Sequence, residues 1–231
     1  MKSPHVLPQY VQVSEGLIRE ISTGRLLPGD RLPPERKLAT DLGIAVGTLR
    51  KALADMTEKG FLERKQGSGN YVRLGDSARA LYSFFRLEVP EGGGTPTADV
   101  LSVARLEKPS DLPTFGTEAQ GFRIRRLRYL NGAAMALEEI WLDGAYASEI
   151  SAEALSHSLY HYYQEVLGLR IARVEDQLHL GEMPDWAASS LRPGIASGLV
   201  ERKSWAQDGA LAEISRTWFD TTKARYVARL R

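Results

Sequence analysis

Arg126 and Arg128 stand two residues apart in the strand-like run Phe122–Tyr129. Residues i and i+2 of a strand project from one face, so two guanidiniums lie side by side and require an anion or acidic partners. Two readings meet that requirement: a small carboxylate or phosphate ligand, or ion pairs to Glu138 or Glu139 on a neighbouring strand. Cysteine is absent, which removes disulfides, thiolate metal sites and cysteine nucleophiles. His157 and His161 are four apart on a helical stretch, the spacing of a zinc pair, but no acidic residue lies between them and the sequence offers no third ligand. They read as surface or packing histidines, and neither a metal nor a cofactor is expected.

A second group of donors lies near the N-terminus. Thr48, Arg50 and Lys51 fall on a helical run, Val46 to Lys59, whose buried side carries Leu49, Leu53 and Met56. A helix that enters the major groove needs donors at its exposed N-terminal end, and these three supply them. The elements that hold this helix are equally legible. Tyr10 to Ile21 repeats Val13, Leu17 and Ile21 at helical spacing; Pro28-Gly29-Asp30 is turn chemistry; Glu35 to Leu42 is a short helix opened by Pro33-Pro34 and stopped by Gly43. Two helices joined by so short a turn form a helix-turn-helix. Phe61–Arg64 and Asn70–Arg73 then pair as a hairpin wing around Gln66, Gly67, Ser68 and Gly69, whose backbone and side-chain amides suit a minor groove or phosphates. Leu7 to Arg73 therefore reads as a winged helix-turn-helix that binds duplex DNA.

Charge agrees with this placement. Up to Leu74 the chain has 12 Lys+Arg against 8 Asp+Glu, whereas the remainder is net acidic with 18 against 21. A modest basic excess thus sits where a polyanion would bind. The 231-residue length and 43% hydrophobic content suit two globular domains. No apolar run is long enough for a bilayer and no secretory signal opens the chain, so a cytoplasmic protein without membrane contact is expected.

Residues 1–74 form the expected DNA-binding domain, 75–79 a linker and 80–231 a second domain. In that second domain the strand candidates are Leu81–Val89, Val100–Glu107, Phe122–Tyr129, Met135–Leu142, Ile171–Leu180, Leu199–Ala206, Leu211–Phe219 and Tyr226–Leu230, with a helical stretch at Ser151–Leu167. Strands and helices are segregated rather than alternating, which predicts an α+β fold with a largely antiparallel sheet flanked by helices. Trp141, Trp186, Trp205 and Trp218 read as core.

The run Pro28–Ala39, then Thr48–Leu53, then Gln66–Val72 resembles the GntR family of bacterial regulators. Ile124–Gly132, Met135–Glu138, Ser158–Tyr160, Glu213 and Arg225-Tyr226 resemble the UTRA effector-binding domain of its HutC subfamily, a chorismate-lyase-like fold. The resemblance implies a homodimeric regulator that binds a palindromic operator as a repressor and answers to a small metabolite. It also implies roles for further residues: Arg36 as a DNA contact, Glu138, Ser158 and Glu213 as polar partners of an effector held by Arg126 and Arg128, and the backbone near Ser83, Phe84 and Phe85 as amide donors.

Ala45-Val46-Gly47 departs from the family pattern, which places a capping Ser or Thr followed by Arg there. An operator different from the family consensus is expected, with Val46 against a thymine methyl. Two other functions fit the composition. A small-molecule enzyme on the chorismate-lyase-like fold would need a nucleophile–base pair that the sequence does not offer. An architectural DNA-binding protein would not need the Arg-x-Arg face.

Overall fold

The computed structural model describes residues 8–22, 25–73, 84–94, 96–155, 159–187 and 191–229. Two compact units emerge, one comprising Met1–Arg86 with Val227–Arg231 and the other Leu87–Tyr226. The predicted linker 75–79 lies outside the described residues, as do Ser83, His157 and Ser158.

In the first unit, α1 (Gln9–Ser22), α2 (Glu35–Asp41) and α3 (Val46–Glu58) pack around a core that includes Leu17, Ile18, Leu38, Leu49, Met56 and Phe61. The apolar spacing of α1 and α3 selects the faces that meet, and burying each such side chain stabilises the unit by about 1.5–3 kcal/mol. Gly43 and Gly60, at φ +63° and +77°, end α2 and α3 in the left-handed conformation that a Cβ would strain. Strands β1 (Leu62–Lys65) and β2 (Gly69–Val72) form the wing, with Leu62 opposite Val72 and Lys65 opposite Gly69. The predicted turn at Pro28–Asp30 does more than reverse the chain. The residues after it run along β2: the Leu32 amide donates to Asn70 O at 2.9 Å and the Val72 amide to Asp30 O at 2.8 Å, which adds a third strand-like edge to the wing.

The second unit is built on a six-stranded antiparallel sheet. Its strands are β4 (Pro96–Glu107), β5 (Gln120–Leu130), β6 (Ala133–Asp143), β7 (Ile171–Glu182), β8 (Ala196–Ala206) and β9 (Leu211–Phe219), in the order β4-β5-β6-β9-β8-β7. Pro96 opens β4, an edge strand, where its missing N–H interrupts no ladder. A separate two-stranded pair joins β3 (Leu87–Glu88) to β10 (Arg225–Tyr226). The helix α4 (Leu159–Leu167) buries Leu159, Tyr162 and Tyr163.

Three predicted elements are shorter than expected. Among the described residues of Leu81–Val89, which begin at Phe84, Leu87–Glu88 is strand, and Val89 closes a tight turn with the Gly92 amide donating to its carbonyl at 2.7 Å. Tyr226–Leu230 reduces to Arg225–Tyr226, since β3 offers a partner only two residues long. Ser151–Leu167 is not one helix: Ser151 caps a single 3-10 turn, Ala152–Ala154, and Leu155 then extends at ψ 128° before α4 begins.

Candidate functional site

Each unit carries a candidate site. In the first, the cleft between the start of α2, the start of α3 and the wing has a volume of about 780 Å³. Arg31, Arg36, Arg50, Arg64 and Lys65 line it, against Glu35 as a carboxylate, so the lining is strongly cationic. Glu35 organises the cations. Its Oε2 accepts from Arg50 Nε at 2.7 Å and its Oε1 lies 4.0 Å from Arg64 Nη2, while the two arginine side chains remain 67% and 74% exposed. Exposed guanidiniums held by a neighbouring carboxylate are ordered yet available to phosphate or base edges.

Arg36 and Lys51 are exposed on α2 and α3, and Thr48 is half-buried at the first turn of α3. Ala45 occupies the N-cap of α3 without a side-chain cap, in accord with the missing Ser or Thr. Val46, however, packs against the core, so the exposed residues of that segment are Ala45 and Gly47. In the wing, Gln66 and Gly67 are exposed and Ser68 and Gly69 half-buried. The Ser68 hydroxyl shares a 2.6 Å hydrogen bond with Tyr71 OH, and Lys65 Nζ stacks 4.8 Å from the Tyr71 ring centroid. Gly67 and Gly69 adopt φ +73° and +127°, conformations that tighten the hairpin tip. Arg31, Glu35 and Arg64 were not apparent from sequence. Arg31 and Arg64 reach the cleft only through strand pairing, and Glu35 resembles an ordinary first-turn acid.

The second site lies on one face of the six-stranded sheet. The register sets Arg126 opposite Glu138 and Arg128 opposite Ala136, and continues through Thr217 and Ser215 of β9 to Val200 and Arg202 of β8 and Leu178 and Asp176 of β7. Arg126, Arg128, Glu138 and Glu213 are all buried on it. Glu138 Oε2 accepts from Arg126 Nη2 at 2.6 Å and lies 3.6 Å from Arg128 Nη1, so two guanidiniums are drawn to one carboxylate oxygen. Burial pushes the Glu138 carboxyl up, but the charges of Arg126, Arg128 and Arg202 outweigh it and hold the group below the usual carboxylate range. Glu139 belongs to the opposite face, paired with Arg125 at 2.6 Å. Alternation along β5 and β6 thus separates the two candidate carboxylates.

Glu213 sits at the other end of the same face. Its Oε1 accepts from Ser204 Oγ at 2.9 Å and from Tyr160 OH at 3.1 Å. Burial drives its carboxyl above the ordinary value despite donation from the neighbouring hydroxyls and the charge of Arg202. The face therefore has a cationic end and a hydroxyl-rich end. Phe84 and Phe85 lie in the first unit, where Arg19 Cζ stands 4.6 Å from the Phe85 ring centroid. Tyr160 and Tyr163 of α4, and Ser204, Arg202 and Asp176 of the sheet, were not apparent as site residues from sequence; the two-residue alternation of β7 and β8 is the signal that could have found the last three.

Residues 9–72 match the family model described as bacterial regulatory proteins, gntR family, and residues 91–225 match the UTRA domain. The chain belongs to the GntR family. Among curated proteins it is 56% identical to the HTH-type transcriptional regulator SmoD of Agrobacterium fabrum, over 97% of each chain. It is 29% identical to the mannosyl-D-glycerate transport/metabolism system repressor MngR of Escherichia coli, over 95% of this chain and 94% of the other. The crystal structure of the possible transcriptional regulator YydK from Bacillus subtilis shares the fold, with a TM-score of 0.53 at 22% identity over 97% of this chain and 100% of that one. This GntR-family protein is a transcription regulator with a UTRA effector-binding domain, and the comparisons do not support an enzyme. No helix among the described residues is long and apolar enough to cross a membrane.

Proposed function

We propose that this GntR-family regulator is a cytoplasmic repressor that binds a palindromic operator as a homodimer and is controlled by a small anionic metabolite in its UTRA domain. Arg36, Thr48, Arg50 and Lys51 contact the operator, with Gln66, Gly67, Ser68 and Gly69 of the wing against the minor groove or phosphates. The effector carries a carboxylate or phosphate that meets Arg126 and Arg128, and its polar groups meet Glu138, Glu213 and Ser158. One observation carries this reading: two buried guanidiniums converge on a single carboxylate oxygen, so an added anion is favoured there. The relative named for a mannosyl-D-glycerate system supports it, since a glycerate is a carboxylate. That relative's name also supports repression.

The test is operator binding by fluorescence anisotropy in the presence of candidate carboxylates and phosphates, after a thermal-shift screen has ranked them. At least one anionic metabolite should raise the melting temperature and change operator affinity. A protein that binds operator but neither melts differently nor releases DNA with any anionic candidate would count against the effector assignment and favour an architectural role.

A further inference from the structure

Arg202 lies on the same sheet face as Arg126 and Arg128 but on β8, separated from Glu138 by β9 alone. The β9 residues between them are Ser215 and Thr217, small polar side chains in the middle of a face whose neighbours are long. Two strand spacings make the gap about 10 Å wide at the backbone.

Arg202 is held firmly. Its Nε and Nη2 donate to the two oxygens of Asp176, each at 2.6 Å, and its side chain is 15% exposed. Tyr226 OH donates to Asp176 Oδ2 at 2.6 Å, fixing the carboxylate from the other side. Such a bidentate fork fixes the plane of the guanidinium. The fork turns the guanidinium toward β7, and its charge still reaches Glu138, Tyr160 and Glu213 on the same face.

We propose that Arg202 is a third anion-binding guanidinium of the UTRA site, on the same sheet face as Arg126 and Arg128 with Glu138, Thr217 and Ser215 between them, and with Asp176 and Tyr226 as positioning residues. The proposal rests on the reading of this face as an anionic-effector site and adds a residue to it. It also gives the site a route along the chain: Tyr226 is the last residue before the chain returns to the first unit, and the Val227 amide donates to Arg86 O at 2.8 Å where the outgoing segment leaves it. An anion drawn to Arg202 competes with Asp176 for the fork and so acts on Tyr226.

Inorganic phosphate, titrated against the full chain at constant ionic strength made up with chloride, is the probe. Saturable binding is expected in the wild type, with at least a tenfold higher apparent Kd in Arg202→Gln and in Arg126→Gln. Arg173→Gln, which alters an arginine stacked 3.5 Å from Trp205 on the opposite face, is expected to leave it unchanged. Should Arg202→Gln not fold, Arg202→Lys keeps the charge and loses the fork, and at least a threefold weakening is expected. Tyr226→Phe should weaken phosphate no more than severalfold while changing how phosphate alters operator affinity, a readout that a purely structural hydroxyl would not move. Wild-type affinity in the folded Arg202 variant together with loss in Arg126→Gln overturns the assignment of Arg202 and leaves the anionic site standing. Absence of any saturable response in the wild type overturns both.

Discussion

Removing the charge of Glu138 is the sharpest single perturbation of the second unit. Glu138→Gln conserves shape but leaves Arg126 and Arg128, with side chains 6% and 7% exposed, without the carboxylate that both approach. Breaking a buried pair by deleting one partner costs about 3–5 kcal/mol, because the remaining charge stays desolvated. At roughly 2–4 °C per kcal/mol for a domain of this size, the melting temperature should fall by about 6–20 °C. An anion that enters the site replaces the missing charge, and binding at a hundred times Kd restores about 2.7 kcal/mol. Differential scanning calorimetry with and without inorganic phosphate, at constant ionic strength, reads both quantities, and phosphate should stabilise the variant more than the wild type. A variant that melts within a degree of wild type, or one that phosphate stabilises less, would refute the account of Glu138 as the counter-charge of two buried guanidiniums.

Further outcomes follow from other parts of the molecule. Lys51→Ala should weaken binding to all DNA sequences similarly and reduce the slope of log K against log salt by about 0.9, as loss of one phosphate contact requires; filter binding across a salt series measures it. Gly116 adopts φ +62°, and a Cβ there would fall 2.1 Å from Asp143 Cγ, so Gly116→Ala should destabilise the second unit by roughly 2–4 kcal/mol in urea denaturation. Burial opposes ionisation of Asp143, but Lys108 Nζ at 2.5 Å and the amides of Thr117 and Glu118 outweigh it and hold the carboxyl below the usual range. With a depressed folded value, this stabilisation is complete above the unfolded pKa of about 3.9 and is lost as pH falls through the folded pKa. Asp143→Asn should therefore lower stability at neutral pH and flatten the acid limb of the melting-temperature profile below about pH 4.

The helices and wing of the first unit were legible because each carries its own punctuation: apolar residues at helical spacing in α1 and α3, and glycines at 43, 60, 67 and 69 where the backbone must turn left-handed. Strands β4 to β9 were legible from alternation, with ends off by only a few residues. Elements that depend on a distant partner were not. Nothing local shows that the chain after Pro28 will pair with β2, or that Leu87–Glu88 finds a partner only two residues long in Arg225–Tyr226. The same distinction holds at the sites. Arg126 and Arg128 share a face by spacing alone, but Arg202 and Asp176 join that face only because β8 and β7 follow β9 in the sheet. Likewise the choice of Glu138 over Glu139 as the partner is a matter of register, settled by Arg126 standing opposite Glu138.

The first unit is expected to read a specific duplex through the cleft between α2, α3 and the wing. Selection of bound sequences from a random DNA library by the full chain tests it most directly, with Arg50→Ala carried through the same selection. Enrichment of a two-fold symmetric sequence by the wild type is predicted, with relaxed preference at one position of each half-site in Arg50→Ala. A single bidentate contact of this kind contributes about 1–3 kcal/mol of discrimination. A library that emerges without enrichment, or an identical sequence selected by both proteins, would contradict it.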